Sequence, residues 1–103
     1  MAANWMEALE RANAIRTARA ELKCSIRRGE ARVSELLTDD LPDEAHTMLA
    51  LELLMAQRHW GSVRSRRVLS RLMIRENRQV GELTERQCAL LAEAVQQPPG
   101  AIA

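Results

Sequence analysis

The hydrophobic positions of this chain recur at spacings of three and four, and no stretch alternates as a strand would. Trp5, Ala8, Ala12, Ile15, Leu22 and Ile26 form one such stripe, which predicts a long helix over residues 4–28. Its first half places mostly alanine on the stripe, so it reads as an arm reaching beyond the core. Gly29 suits the left-handed residue that ends a helix. Ser34 reads as the N-cap of a short helix with Val33, Leu36 and Leu37 apolar, stopping near Thr38. Asp39-Asp40-Leu41-Pro42 reads as a turn that puts Pro42 at the first position of the next helix, with Asp43 and Glu44 favourable in its first turn. Residues 48–56 are apolar nearly all round, which predicts the central core helix of a small bundle, ending at Trp60-Gly61. Another helix is expected from Val63 or Ser65 to Arg75, with Val68, Leu69, Leu72 and Met73 toward the core. Val80, Gly81 and Leu83 read as a turn. Thr84 and Gln87 have the spacing of a capping box, and a last helix follows with Leu90, Leu91 and Val95 apolar. The pattern predicts an all-α fold of about five helices: a long N-terminal helix over 1–29, a helical core over 30–96 and a flexible tail over 97–103 around Pro98-Pro99-Gly100.

Composition agrees with helix and limits the size. A chain of 103 residues, 47% hydrophobic with two tryptophans as its only aromatics, suits one small domain. The net charge of +1 points to no partner, but its distribution does. Between Arg16 and Arg32 lie six basic residues and two acids. Between Glu35 and Glu52 lie six acids and no lysine or arginine. Between Arg58 and Arg78 lie seven arginines against one acid, Glu76. Packed side by side, the two basic segments would form one positive face; the bland alternative is solvated helix faces with ordinary salt bridges. Fourteen of the fifteen basic residues are arginine, whose planar fork matches phosphate.

The densest basic segment begins at Trp60-Gly61-Ser62-Val63-Arg64-Ser65-Arg66-Arg67. A glycine turn feeding a helix leaves backbone N–H groups free, with the positive end of the helix dipole behind them. That arrangement receives an anion, and the arginines around it point to a phosphate of a nucleic-acid backbone. Trp60 reads either as a core anchor at a helix end or as a side chain beside that turn that packs against sugar or backbone. Trp5 either caps the core or contacts a partner. An enzyme has little support: the acids at 39–44 lack a histidine partner, and no nucleophile and base can be paired. His46 and His59 have no metal-ligand spacing to either cysteine, and the terms of a calcium loop are unmet by Asp39, Asp40 and Asp43. Cofactor, metal and small-molecule substrate are therefore not expected. Cys24 and Cys88 are isolated, and no signal or membrane-spanning run is visible, which suits the cytoplasm.

Several of these segments resemble a known family. Arg19-Ala20-Glu21-Leu22-Lys23, Arg27-Arg28-Gly29-Glu30 and Val33-Ser34-Glu35-Leu36-Leu37 look like the front half of the actinobacterial integration host factors, which are unrelated in fold to the β-armed enterobacterial protein of that name. Gly61-Ser62-Val63-Arg64-Ser65-Arg66 resembles the family's Gly-Lys-Val-Lys-Ala turn. Leu72-Met73-Ile74 and Leu83-Thr84-Glu85-Arg86-Gln87 through Leu91 resemble its C-terminal stretch. The match covers roughly residues 11–92. It implies a helix-two-turns-helix core behind a long helix, sequence-tolerant binding and bending of double-stranded DNA, and roles at the nucleoid and in phage integrase complexes. Carried over, it places phosphates on Gly61, Ser62, Val63, Arg64, Arg66 and Arg67. The helix face with Arg16, Arg19, Lys23 and Arg27 is expected to supply a second contact. The family also carries an Arg-Arg-Leu-Arg cluster before its last helix. The corresponding stretch here is Arg78-Gln79-Val80-Gly81, so of its arginines only Arg78 remains as an expected contact. The departures suit a phage or mobile-element copy as well as a divergent host protein. The rival reading is a protein-interaction module, such as a phage protein engaging a host protein through its first helix and acidic stretch. RNA binding is a further rival.

Overall fold

A computed structural model of the chain describes residues 2–96. The tail expected over 97–103 lies outside the described residues. The described chain is all-α, with six helices and one 3₁₀ turn. Helix α1 spans Ala2–Arg27, α2 Val33–Thr38, α3 Asp43–His46, α4 Ala50–Met55, α5 Ser62–Arg71 and α6 Glu85–Gln96, with the 3₁₀ turn at Val80–Glu82.

Helix α1 ends where glycine allows it. Gly29 has φ +80°, and the Gly29 and Glu30 amides donate to the Ile26 and Ser25 carbonyls at 3.1 and 2.9 Å. These bonds satisfy carbonyls that the helix end would otherwise leave without donors. Only the second half of α1 joins the core, through buried Leu22 and Ile26. The first half projects: Trp5, Met6, Leu9 and Ile15 are exposed, and the molecule measures 54 × 27 × 25 Å. Arg19 and Lys23 fasten the junction. The Arg19 Nε donates to the Glu44 carbonyl at 3.1 Å, its Nη2 donates to Thr47 Oγ1, and Lys23 Nζ meets Glu52 Oε2 at 2.7 Å.

The core is aliphatic. Met48, Leu53, Leu54, Val68, Leu69, Val80 and Leu91 are almost fully buried, each side chain contributing roughly 1.5–3 kcal/mol by leaving water. Helix α2 lies against α6, and α4 against α5. The expected central helix is broken. Between α3 and α4 the chain straightens, and the Ala50 amide donates to the Arg78 carbonyl at 2.8 Å while the Val80 amide donates to the Met48 carbonyl at 2.9 Å. Apolar periodicity could not foresee this, because Met48 is equally buried either way. Pro42 accordingly stands one residue before α3, with extended backbone at ψ 151°, rather than inside it. Ser34 lies within α2, whose N-cap position is Arg32. The turn expected at Val80-Gly81 is helical. A Cβ on Gly81 would stand 2.8 Å from His46 Nδ1 and 2.9 Å from the His46 carbonyl oxygen, so only glycine fits against the end of α3. The expected capping box is present: the Gln87 amide donates to Thr84 Oγ1 at 3.1 Å and the Thr84 amide to Gln87 Oε1 at 3.0 Å.

Helix α5 stops four residues before the expected Arg75. Met73 takes φ +58°, and the Ile74 amide donates to the Leu69 carbonyl at 2.9 Å. Met73 was expected in the core but is 89% exposed; Ile74 is the residue buried there. A side chain in the left-handed region costs about 1–2 kcal/mol, and here no burial offsets it. Met73→Gly should therefore stabilise the protein by about 1 kcal/mol after the loss of backbone entropy. Calorimetry should show a melting temperature higher by roughly 4–8 °C.

Candidate nucleic-acid interface

The N-terminus of α5 is built from the residues the sequence singled out. Gly61 is the N-cap, with φ −82° and ψ −179°, and no side chain caps the helix. The first backbone bond runs from the Ser65 amide to the Gly61 carbonyl at 3.1 Å. The amides of Ser62, Val63 and Arg64 therefore lie in the first turn, where the helix supplies no acceptor. The helix starts at Ser62, earlier than the expected Val63 or Ser65. Gly61 is not required by its own backbone, since its φ suits any residue. Nor is it required by packing, since a Cβ there would meet nothing within 4 Å. The turn is open on the side where an outside group would approach.

Trp60 takes the first of its two readings, the core anchor. It is only 7% exposed, so it anchors the turn to the core. The Arg64 guanidinium lies over its ring, 3.8 Å from the centroid. Cation–π attraction and shape hold Arg64 beside the helix start. The Arg64 Nε is buried against the ring without a hydrogen-bond partner.

The other arginines divide by partner. Arg66 Nε meets Glu76 Oε1 at 2.9 Å and Oε2 at 3.2 Å, so the lone acid of the basic segment occupies its fork. Arg67 and Arg78 are exposed, and the Arg78 carbonyl serves the backbone pairing with Ala50. On α1 the expected contacts separate. Arg16 is exposed on the projecting half, whereas Arg19 and Lys23 are turned to α3, α4 and the link between them. Arg27 reaches the turn: it lines a cleft of about 420 Å³ together with Arg58, His59, Trp60 and Gly61. Arg58 is thus a wall of the site that its position in the basic segment did not reveal, because only the fold brings it opposite Arg27. His59 holds φ +69° in this turn.

Both cysteines are free thiols. Burial, then the nearby Glu85 charge, raises the Cys88 pKa above its ordinary value, which keeps that thiol protonated near neutrality. Among the described residues no three His, Cys, Asp or Glu side chains are placed to hold a metal, and no helix is long and apolar enough to cross a membrane.

A small all-α protein with a projecting helix and an open, arginine-flanked helix start is the class these features define. No protein-family model matches the chain. It is 37% identical over 91 residues to the integration host factor of Mycolicibacterium smegmatis, a match covering 87% of each chain. It is also 37% identical over 87 residues to the integration host factor of Mycobacterium tuberculosis, covering 84% of this chain and 83% of that protein. A solved structure, that of sIHF bound to an 8 bp palindromic DNA, is 31% identical with a TM-score of 0.74, covering 82% of this chain and 97% of that one. The chain belongs to the integration host factor family of these mycobacterial proteins.

Gly61→Ala should hardly change stability. Alanine is a poorer N-cap than glycine, but it also restricts the unfolded chain, and the two effects oppose each other. The net change should stay within about 1 kcal/mol, as read from urea unfolding.

Proposed function

We propose that this protein binds double-stranded DNA through its phosphate backbone, with little sequence preference, and acts as an architectural protein of the nucleoid that bends or compacts DNA. The observation that carries this reading is the start of α5 without a side-chain cap, open at Gly61, with Arg64 held beside it and Arg27 and Arg58 lining the adjoining cleft. The DNA in the structure of its solved relative supports the same reading. One phosphate sits on the amides of Ser62, Val63 and Arg64, where hydrogen bonding and the helix dipole act together. Arg64, held in place by Trp60, and Arg67 neutralise its neighbours, and Arg66 joins them when its fork exchanges Glu76 for phosphate. Arg16, Arg27 and Arg78 add charge along the backbone path. Arg19 and Lys23 contribute chiefly by fixing the direction of α1. Contacts of this kind position a protein without reading bases. On this reading the protein works at chromosomal DNA or within phage integrase complexes, and no catalytic step is involved.

A second reading has one observation in its favour. Trp5, 66% exposed, and Met6, 51% exposed, stand on the projecting half of α1 with nothing packed on them, as in a helix that docks on another protein. Pull-down of a host protein together with no gel shift on duplex DNA would favour it.

Anisotropy titrations with unrelated duplexes should give similar affinities, each falling by about 0.9 log unit per log unit of salt for every phosphate neutralised. Gly61→Ala should weaken binding while leaving the fold intact, and Arg66→Glu with Arg67→Glu should weaken it equally for all sequences. A changed preference among sequences in the double variant would mean that bases are read directly. Glu76→Gln should tighten binding at low salt, because Arg66 no longer has to leave a carboxylate to reach its phosphate. Unchanged affinity would place Arg66 outside the contact.

A further inference from the structure

A second cleft adjoins the one at Gly61. It measures about 720 Å³ between the end of α1, the start of α2, the turn from α4 to α5 and the last residues of α6. The two clefts share Gln57, Arg58 and Trp60, so they lie side by side on one surface, here called the trough. Arg27 and Arg58 line its part nearest Gly61, and Arg32 enters the far part from the start of α2. Glu35 is the one acid among the residues lining either part.

These three arginines differ from others in the chain. Arg28 is held by Glu30 at 3.3 Å, Arg66 by Glu76, and Arg19 by the α3 end. The side chains of Arg27, Arg32 and Arg58 make no hydrogen bond or ion pair among the described residues. Arg27 also complements the negative end of α1, but Arg58 lies in a turn and Arg32 precedes its helix, so neither has that role. Three arginines from three separate segments, lining adjoining clefts with a single carboxylate, leave a local positive excess that an anion relieves.

Trp60 narrows the kind of anion. It is the aromatic side chain of the trough, it is 7% exposed, and the Arg64 guanidinium covers its ring. Trp60 therefore offers no open ring face for a nucleobase, and the arginines that line the trough suit the phosphates of a backbone. Its continuity with the Gly61 turn suits a polyanion that passes from one part to the other.

We propose that this trough is a second phosphate track for the same duplex, with Arg58 and Arg32 each neutralising a backbone phosphate beyond the one held at Gly61 and Arg27 adding charge at the end nearest Gly61. This rests on the DNA-binding reading above. Neither Arg32 nor Arg58 stands out in the sequence, because they lie far apart in the chain and meet only when the start of α2 folds against the α4–α5 turn.

The test uses the full chain and random-sequence duplex, titrated by anisotropy over a range of salt. Arg32→Gln with Arg58→Gln should lower the salt slope by about 1.8, two phosphates at 0.9 each, and weaken binding at low salt at least about tenfold. Arg28→Gln with Arg86→Gln removes the same charge away from the trough and should leave the slope within about 0.5 of the parent value, since it vacates no phosphate contact. Arg32→Lys with Arg58→Lys should keep the parent slope, because lysine still neutralises a phosphate; circular dichroism melts verify that each variant folds. An unchanged slope in the glutamine variant overturns the track while leaving the Gly61 site standing. Equal losses in both glutamine variants overturn it in favour of bulk charge, and loss of slope in the lysine variant overturns it too. Failure of the parent protein to bind duplex at all overturns the DNA-binding reading itself.

Discussion

Two backbone hydrogen bonds hold the arrangement of this protein together: Ala50 N–H to the Arg78 carbonyl and Val80 N–H to the Met48 carbonyl. They tie the segment after α5 to the segment before α4, so both ends of the α4–α5 hairpin are pinned to each other. Buried on Met48, Ala50 and Val80, such bonds are expensive to leave unmade. Their consequence is felt at the far end of the hairpin. The turn between α4 and α5 has little freedom to swing, and Trp60 locks it into the core. The helix start at Ser62 is therefore presented by a rigid frame, which lets bare amides receive an anion without first being ordered.

Charge is the second organising theme. The chain is nearly neutral, yet its positive groups are sorted by use. Arg19 and Lys23 are spent on internal bonds that aim the long helix. Arg66 is matched by Glu76 across an exposed pair, where the interaction is worth at most about 1 kcal/mol and can yield to a better anion. Arg27, Arg32 and Arg58 border the trough without partners. Arg64 takes an intermediate position: its stem and Nε are buried against Trp60, which fixes where its charge stands without neutralising it.

Several local signals in the sequence were read well. The Gly29 helix end, the Thr84–Gln87 capping box and the glycine start of α5 depend on residues within a few positions, and each is present. Two others were displaced by a residue or two: Ser34 lies inside α2, and Pro42 stands just before α3. The larger misses came from tertiary structure. The long central helix predicted from residues 48–56 yielded to pairing with a segment thirty residues away. Met73 followed the helical period but fell on the residue that reverses the chain, so it points to solvent and Ile74 takes its place. The internal partners of Arg19 and Lys23, the Glu44 carbonyl and the Glu52 carboxylate, lie in elements whose packing no spacing rule reveals. Arg32 and Arg58 were passed over for the converse reason: their shared cleft exists only in three dimensions.

Gly81 bears on how this chain can change. It stands where the family resemblance would place the last arginine of an Arg-Arg-Leu-Arg cluster. A Cβ at that position would lie 2.9 Å from the His46 carbonyl oxygen, a backbone atom that a rotamer change cannot move. Placing arginine at position 81 would first require the end of α3 to withdraw. Replacing His46 alone would not suffice, because the obstructing oxygen belongs to every residue. This packing closes the position to any side chain by a single substitution, so the chain can gain positive charge more readily at other surfaces than at this one.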